Sequence, residues 1–222
     1  MNARATPIGP AAVTSILLVD DHAVVRQGYR RLLERESDIR VVGEAGNAVE
    51  AYRAFCQVRP DVVVIDISLP DVSGIEAMRR MLAREPNARM LVFSMHEESV
   101  FASRALKEGA RGYITKASAP DVLVEAVRTV SAGEMYLSRD IAQAVALKNL
   151  ADTDTAFEAL SAREFEIVRL LVAGHTISTI AGKLGLGYKT VANYQSAIRH
   201  KLGVETPAQL LRIAARSGLT KV

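Results

Sequence analysis

"DVVVIDISLPDVSG", residues 61–74, decides the fold of this chain. Val62, Val63, Val64 and Ile65 form an unbroken β-branched run, which reads as a strand buried on both faces. The run ends on a carboxylate, Asp66. "LPDVSG" then reads as a turn, and a helical pattern runs from about Ile75 to Ala83. A strand covered on both sides belongs to a parallel sheet between helices. Asp66 alone is compatible with a structural acid, a catalytic acid, a metal ligand or a nucleophile.

The same alternation extends outward. "SILLVD" (15–20) precedes a helical pattern from Val24 to Leu33, and "IRVVGEA" (39–45) one from Asn47 to Val58. "ARMLVFS" (88–94) precedes a pattern from Val100 to Glu108, and "ARGYIT" (110–115) one from Ala119 to Val130. Five strands alternating with five helices imply a doubly wound α/β sheet with right-handed crossovers. From Ser131 to Phe157 the strand signals stop; "SRDIAQAVALKNL" has a helical pattern and "ADTDT" is polar, so this stretch reads as an interdomain linker. After it only helical patterns remain, ending in Gly, the usual residue past a helix C-terminus.

Composition is that of an ordinary soluble protein, 49% hydrophobic and 24% charged over 222 residues. The apolar runs fall far short of the roughly 20 residues that span a bilayer. "MNARATPIGPAAV" lacks the apolar core of a signal peptide and reads as a flexible leader. A lone cysteine, Cys56, excludes an intrachain disulfide and reads as a buried inert thiol. Together these point to the cytoplasm. Charge is uneven: residues 158–222 hold nine Lys/Arg against four Asp/Glu, whereas residues 1–157 are slightly acidic. A basic C-terminal part suggests a polyanion partner there.

In an open parallel sheet, ligands bind beyond the carboxyl ends of the strands, where the strand order reverses. Strand one ends in Asp20 and Asp21, strand three in Asp66 and strand four in Ser94, and Lys116 follows strand five. With the order 2-1-3-4-5, strands one and three flank the switch point and the three acids converge. Such acids repel one another unless a hard divalent cation sits among them, and Mg²⁺ suits a few carboxylates plus waters. Asp66 can then act as a nucleophile on phosphorus, with the metal and Lys116 neutralising charge on the phosphoryl oxygens and Ser94 bonding one of them. No Gly-rich phosphate loop is present, which argues against a nucleotide as phosphate source.

"ILLVDDH", "VVVIDISLPDVSG", "LVFSMH" and "GARGYITKA" resemble, in order, the motifs of the receiver domain of bacterial two-component response regulators. The resemblance implies that Asp66 accepts phosphate from a histidine kinase. It implies that Asp21 and Asp66 bind Mg²⁺ directly, with Asp20 acting partly through water and the Ser68 backbone carbonyl completing the set. Ser94 and Lys116 would contact the phosphoryl group, and Tyr113 matches the family's switch aromatic. Ser68 and His96 stand where the family tunes the loss of phosphate.

"TISTIAGKLGLGYKTVANYQSAIRHKLG" has the outline of a helix-turn-helix, with Thr176 as an N-cap and "GLG" as the turn. In the second helix Val191, Tyr194, Ile198 and Leu202 take core spacing, and Lys189, Asn193, Ser196, Arg199 and His200 lie opposite. That face can enter a major groove, with Thr190 placed for a phosphate contact. Residues 158–217 are similar to the LuxR-type DNA-binding domain, and both parts together to the NarL/FixJ family. The resemblance adds Thr176 and Lys201 to the DNA-contact set. It implies that the last helix, about Thr206–Arg216, pairs two copies through Ala208 and Leu211 on an inverted repeat. Gly182 and Gly187 weaken the motif slightly, and Ala192 and Ser196 replace residues that are Lys in many members.

The expected organisation is a leader (1–13), a receiver (14–134), a linker (135–157) and a four-helix LuxR-type domain (158–222). The expected function is a phosphorylation-controlled transcription regulator, homodimeric on activation and without turnover of an external substrate. One rival is a Mg²⁺-dependent phosphohydrolase, disfavoured because position 68 is Ser rather than the second acid. The other is a phosphate-independent DNA-binding protein, disfavoured by the complete acid set.

Overall fold

The computed structural model describes residues 13–70, 72–150, 157 and 159–216, without the side chains of 148–150, 162 and 216. The leader, the "ADTDT" segment and the extreme C-terminus lie outside the described residues.

In chain order the elements are β1 (Thr14–Val19), α1 (Ala23–Leu33), β2 (Ile39–Ala45), α2 (Ala48–Val58), β3 (Val62–Ile65) and α3 (Gly74–Arg84). Next come β4 (Arg89–Ser94), α4 (Ser99–Lys107), β5 (Gly112–Thr115), α5 (Pro120–Ser131) and β6 (Tyr136–Leu137). The rest is helical: α6 (Arg139–Leu150), α7 (Ala162–Val172), α8 (Ile177–Leu184), α9 (Tyr188–Leu202) and α10 (Pro207–Arg216). By its contacts the chain forms two compact units, residues 1–95 with 108–138, and residues 96–107 with 139–222.

The first unit holds a parallel sheet of order β2-β1-β3-β4-β5-β6. The five expected strands are present in the expected order. The sixth corrects the reading that strand signals stop at Ser131. Its two residues are too few to show alternation, and it forms because Tyr136 N reaches the Arg111 carbonyl and Ser138 N the Tyr113 carbonyl at the open edge of β5. Ile16, Leu18, Val62, Val64, Leu91, Phe93 and Ile114 form one core layer with Leu33, Val127 and Val130. The alternate residues Leu17, Val19, Val63, Ile65, Met90 and Val92 are buried as well. Both faces of β3 are therefore covered, which is why its sequence does not alternate.

Local chemistry sets the helix limits. Asn47 caps α2 by accepting from Glu50 N, and Ser73 caps α3 by accepting from Ile75 N. Pro120 opens α5, where its missing N–H costs nothing. Gly174, Gly185 and Gly203 take positive φ (83°, 64° and 63°) at helix ends.

In the second unit Phe165 is fully buried, edge-on to Phe101 of α4 (4.8 Å between centroids) and to Phe157 (5.8 Å). Ile180, Val191, Ile198, Leu210 and Ala214 complete its core. Ser161 and Glu164 form a reciprocal capping box at the start of α7. Arg169 also pairs with Glu98 at 2.8 Å, and Arg104 donates to the Leu160 carbonyl.

Candidate phospho-acceptor site and nucleic-acid face

Register brings the acids together. β1 and β3 pair residue for residue up to Val19 and Ile65, so Asp20 and Asp66 are the next residue on each strand. Asp66 N donates to the Val19 carbonyl (2.9 Å) and Asp20 N to the Ala45 carbonyl (3.1 Å), which fixes both backbones. On the other side of β3, Ser94 pairs with Thr115 across β4 and β5. Lys116 N donates to the Ser94 carbonyl at 2.8 Å, which starts the lysine on the same rim.

Lys116 Nζ lies 2.6 Å from Asp20 Oδ2 and 2.5 Å from Asp66 Oδ2, with side-chain exposures of 5%, 3% and 3%. Burial pushes this ammonium down, but the charges and hydrogen bonds of Asp66 and Asp20 outweigh it and hold Lys116 above the ordinary lysine value. Its ammonium also stands 6.0 Å above the Phe93 ring, and Tyr29 meets that ring edge-on. Tyr29 is raised by burial first; Lys116 opposes this, and Asp20 and Asp66 add to it.

The remaining acceptors fit a hard cation. Asp21 Oδ1 is buried and accepts no hydrogen bond, while His22 Nδ1 stands 2.7 Å away. Asp20, Asp21 and His22 each offer a ligand atom within 4.8 Å of the others. Asp20 Oδ1 accepts from His22 N (2.8 Å), and Asp66 Oδ1 from Ser68 N (3.2 Å). An orphaned carboxylate oxygen beside two further acids is the donor set that Mg²⁺ takes.

Ser94 and Tyr113 are fully buried, Tyr113 standing opposite Val92 on one side and Leu137 on the other. The structure thus gathers Asp20, Asp21, Asp66, Ser94 and Lys116 on one rim of the sheet, with Ser68 in the loop after β3. His96, buried against Phe101, belongs by its contacts to the second unit.

Sequence reasoning missed two supports. Arg26 donates to the Asp20 carbonyl and to Glu44 Oε2 (3.1 Å), tying α1 to the carboxyl ends of β1 and β2. Nothing in the local pattern around Arg26 marks that role. Gly74 opens α3 directly against the Asp66 backbone: a Cβ there would lie 1.9 Å from the Asp66 carbonyl oxygen. The "SG" of the opening stretch is the available signal, and its local pattern shows only a turn.

In the second unit Thr176 caps α8, accepting from Thr179 N at 3.2 Å. Gly185 turns the chain and α9 begins at Tyr188. Lys189, Thr190, Asn193, Ser196 and His200 are exposed on α9, while Val191 and Ile198 are fully buried. Arg199 is half-buried at the edge of this face, lining a small pocket with Leu171, His175 and Leu210. Lys201 is drawn off the face, its Nζ lying 2.7 Å from the buried Glu164 carboxylate. Burial pushes Glu164 up, but Lys201 and the bonds from Ser161 outweigh it and hold the carboxyl below its usual range. On α10, Leu210 and Ala214 face the core, while Ala208 and Leu211 are exposed.

Comparison with known proteins agrees with this architecture. Residues 16–128 match the response regulator receiver domain, and residues 158–214 match the bacterial regulatory proteins of the luxR family. The response regulator GacA of Pseudomonas aeruginosa is 36% identical over 206 residues, covering 92% of this chain and 96% of its own. The response regulator UvrY of Escherichia coli is 36% identical over 208 residues, covering 92% and 95%. A two-component response regulator of the LuxR family from Aurantimonas is 47% identical over 63% of this chain and 99% of its own, with a TM-score of 0.61. The sheet, the acid rim and the helix-turn-helix therefore belong to one known layout: this chain is a member of the NarL/FixJ family of two-component response regulators, a receiver domain joined to a LuxR-type DNA-binding domain.

Proposed function

We propose that Asp66 is the phospho-acceptor through which a histidine kinase controls promoter binding by the C-terminal domain of this transcription regulator. The observation that carries this is the buried Asp66 carboxylate 2.5 Å from Lys116 and beside Asp20 on the carboxyl rim of the sheet. An Asp66 carboxylate oxygen attacks phosphorus, the donor's bond to phosphorus breaks, and the leaving group departs with the electron pair. Asp20, Asp21, Asp66 and the Ser68 carbonyl would hold Mg²⁺, which supplies positive charge beside the transferring group. Lys116 then exchanges part of its carboxylate pairing for a phosphoryl oxygen, and Ser94 donates to another. Moving these two at the ends of β4 and β5 alters the packing of Tyr113, which lies between β4 and β6, and so the surface beyond it.

On α9 the exposed Lys189, Thr190, Asn193 and Ser196 form the major-groove face, with Thr176 at a helix N-terminus suited to a phosphate and Arg199 and Lys201 flanking. The exposed Ala208 and Leu211 on α10 are the pairing surface of a homodimer on an inverted repeat. Ser at position 68 supplies no second acid for turnover of an external substrate. No helix among the described residues is long and apolar enough to cross a membrane, which suits a cytoplasmic regulator.

Acetyl phosphate with Mg²⁺ tests the acceptor. Intact-mass measurement is expected to show one phosphoryl group gained by wild type and none by Asp66→Asn. An adduct that survives Asp66→Asn removes Asp66 from the role, and steady hydrolysis of a phosphomonoester revives the phosphohydrolase reading.

A further inference from the structure

A second cleft lies at the opposite ends of the strands from the acid rim, about 17 Å away along β3 at the usual rise per residue. Its volume is about 710 Å³, within the range of small-molecule sites. It opens between the C-terminal ends of α2 and α3 and the first residues of β3 and β4. Three arginines line it, Arg59, Arg84 and Arg89. Among the described residues none of their guanidinium groups donates a hydrogen bond or forms a close ion pair. Arg89 acts only at longer range, helping to hold Asp61 below its usual range; there the hydrogen bond from Ser15 acts first, against burial.

The cleft's own acids do not neutralise it. Asp61 Oδ2 is taken by Ser15 N (2.8 Å) and Ser15 Oγ (2.5 Å), and Glu85 is the only other carboxylate lining it. Arg59 adds an independent sign. It is the only non-glycine residue with positive φ among those described, at 45°, in the αL position after α2. Glycine would sit there without strain, and a side chain costs about 1 kcal/mol. Phe55, Pro60 and Ala88 supply an apolar side, and Asn87 an amide that can donate and accept.

We propose that this cleft of the receiver binds a nucleoside diphosphate. Three guanidinium groups without a close carboxylate partner exceed what one phosphate takes and suit two linked phosphoryl groups by paired N–H···O bonds. The apolar side takes the flat base, and Asn87 and Glu85 meet its polar edge.

The test is isothermal titration calorimetry of the full chain with ADP, GDP, adenosine and pyrophosphate, with EDTA present so that no metal bridges phosphate to the acid rim. One of the two nucleotides is expected to bind at least tenfold more tightly than pyrophosphate or adenosine. Arg84→Gln with Arg89→Gln is expected to weaken it at least tenfold, and Asp66→Asn to leave it unchanged. Arg59→Gly is expected to lose affinity while its thermal midpoint stays level or rises, which separates ligand loss from misfolding. Cys56, the chain's single cysteine, is half-buried rather than the buried thiol its neighbours suggest and lines the cleft, so bound nucleotide should slow its alkylation in wild type. Absence of binding, equal affinity for pyrophosphate, or affinity untouched by the arginine substitutions would overturn the proposal.

Discussion

Lys116 stands between two carboxylates that would otherwise repel each other inside the protein. Removing one member of such a buried set costs about 3–5 kcal/mol, chiefly because the others are left buried and uncompensated. Lys116→Met is therefore expected to lower the urea-unfolding free energy by about that much without Mg²⁺. Combining it with Asp66→Asn should restore part of the loss; strict additivity would refute the pairing. Because Lys116 is raised in the folded state, its contribution is complete below the ordinary lysine value and fades as pH rises through the raised one. Unfolding midpoints between neutral and strongly alkaline pH report that fade. Gly74 acts at the same scale. Its missing Cβ lets α3 start against the Asp66 carbonyl, so Gly74→Ala should cost about 1–3 kcal/mol and slow phosphorylation by acetyl phosphate. A variant phosphorylated at the wild-type rate would show that the Asp66 backbone tolerates the shift.

Among the elements, α7 depends on its N-terminal box. Ser161→Ala is expected to cost about 1 kcal/mol by leaving the Glu164 N–H unsatisfied. Glu164 is held low by Lys201 and Ser161, so its stabilising effect is present above the ordinary glutamate value and is lost as pH falls through the lowered one. Denaturation of wild type and Lys201→Gln between about pH 3 and 6 should diverge at the upper end and converge at the lower. On α9 the expected effects differ in kind. Lys189→Ala should weaken binding to all DNA sequences alike and reduce the salt slope by about one, whereas Asn193→Ala should cost about 1–3 kcal/mol and relax preference at one base pair. Competition binding at two salt concentrations separates them.

For the whole molecule, phosphorylation has to change DNA occupancy although α9 itself carries no phosphate. In the proposed reading dimer formation does this, by binding the second half-site at high effective concentration. Phosphorylated protein is expected to gain about 10²-fold or more on an inverted repeat and little on one half-site. Leu211→Asp should remove that gain while leaving the half-site affinity unchanged, measured by fluorescence anisotropy.

Much of this was legible beforehand. "VVVID" announced a doubly buried strand ending in an acid, because a parallel strand with both faces covered has no polar side and its carboxyl end meets solvent. The other strand-end residues, Asp20, Asp21, Ser94 and Lys116, followed from the same rule. β6 was hidden because a two-residue strand is made by the neighbour it pairs with. Arg26 was hidden because its partners, the Asp20 carbonyl and Glu44, are set by where α1 crosses the strand ends. The Glu164 partner of Lys201 and the arginine cleft are meetings of residues from separate elements. The sequence alone determined which residues end strands and which faces of helices are apolar, since those depend on local periodicity. Only the tertiary structure decided which charges meet, because packing places side chains far apart in the chain within a few ångströms of one another.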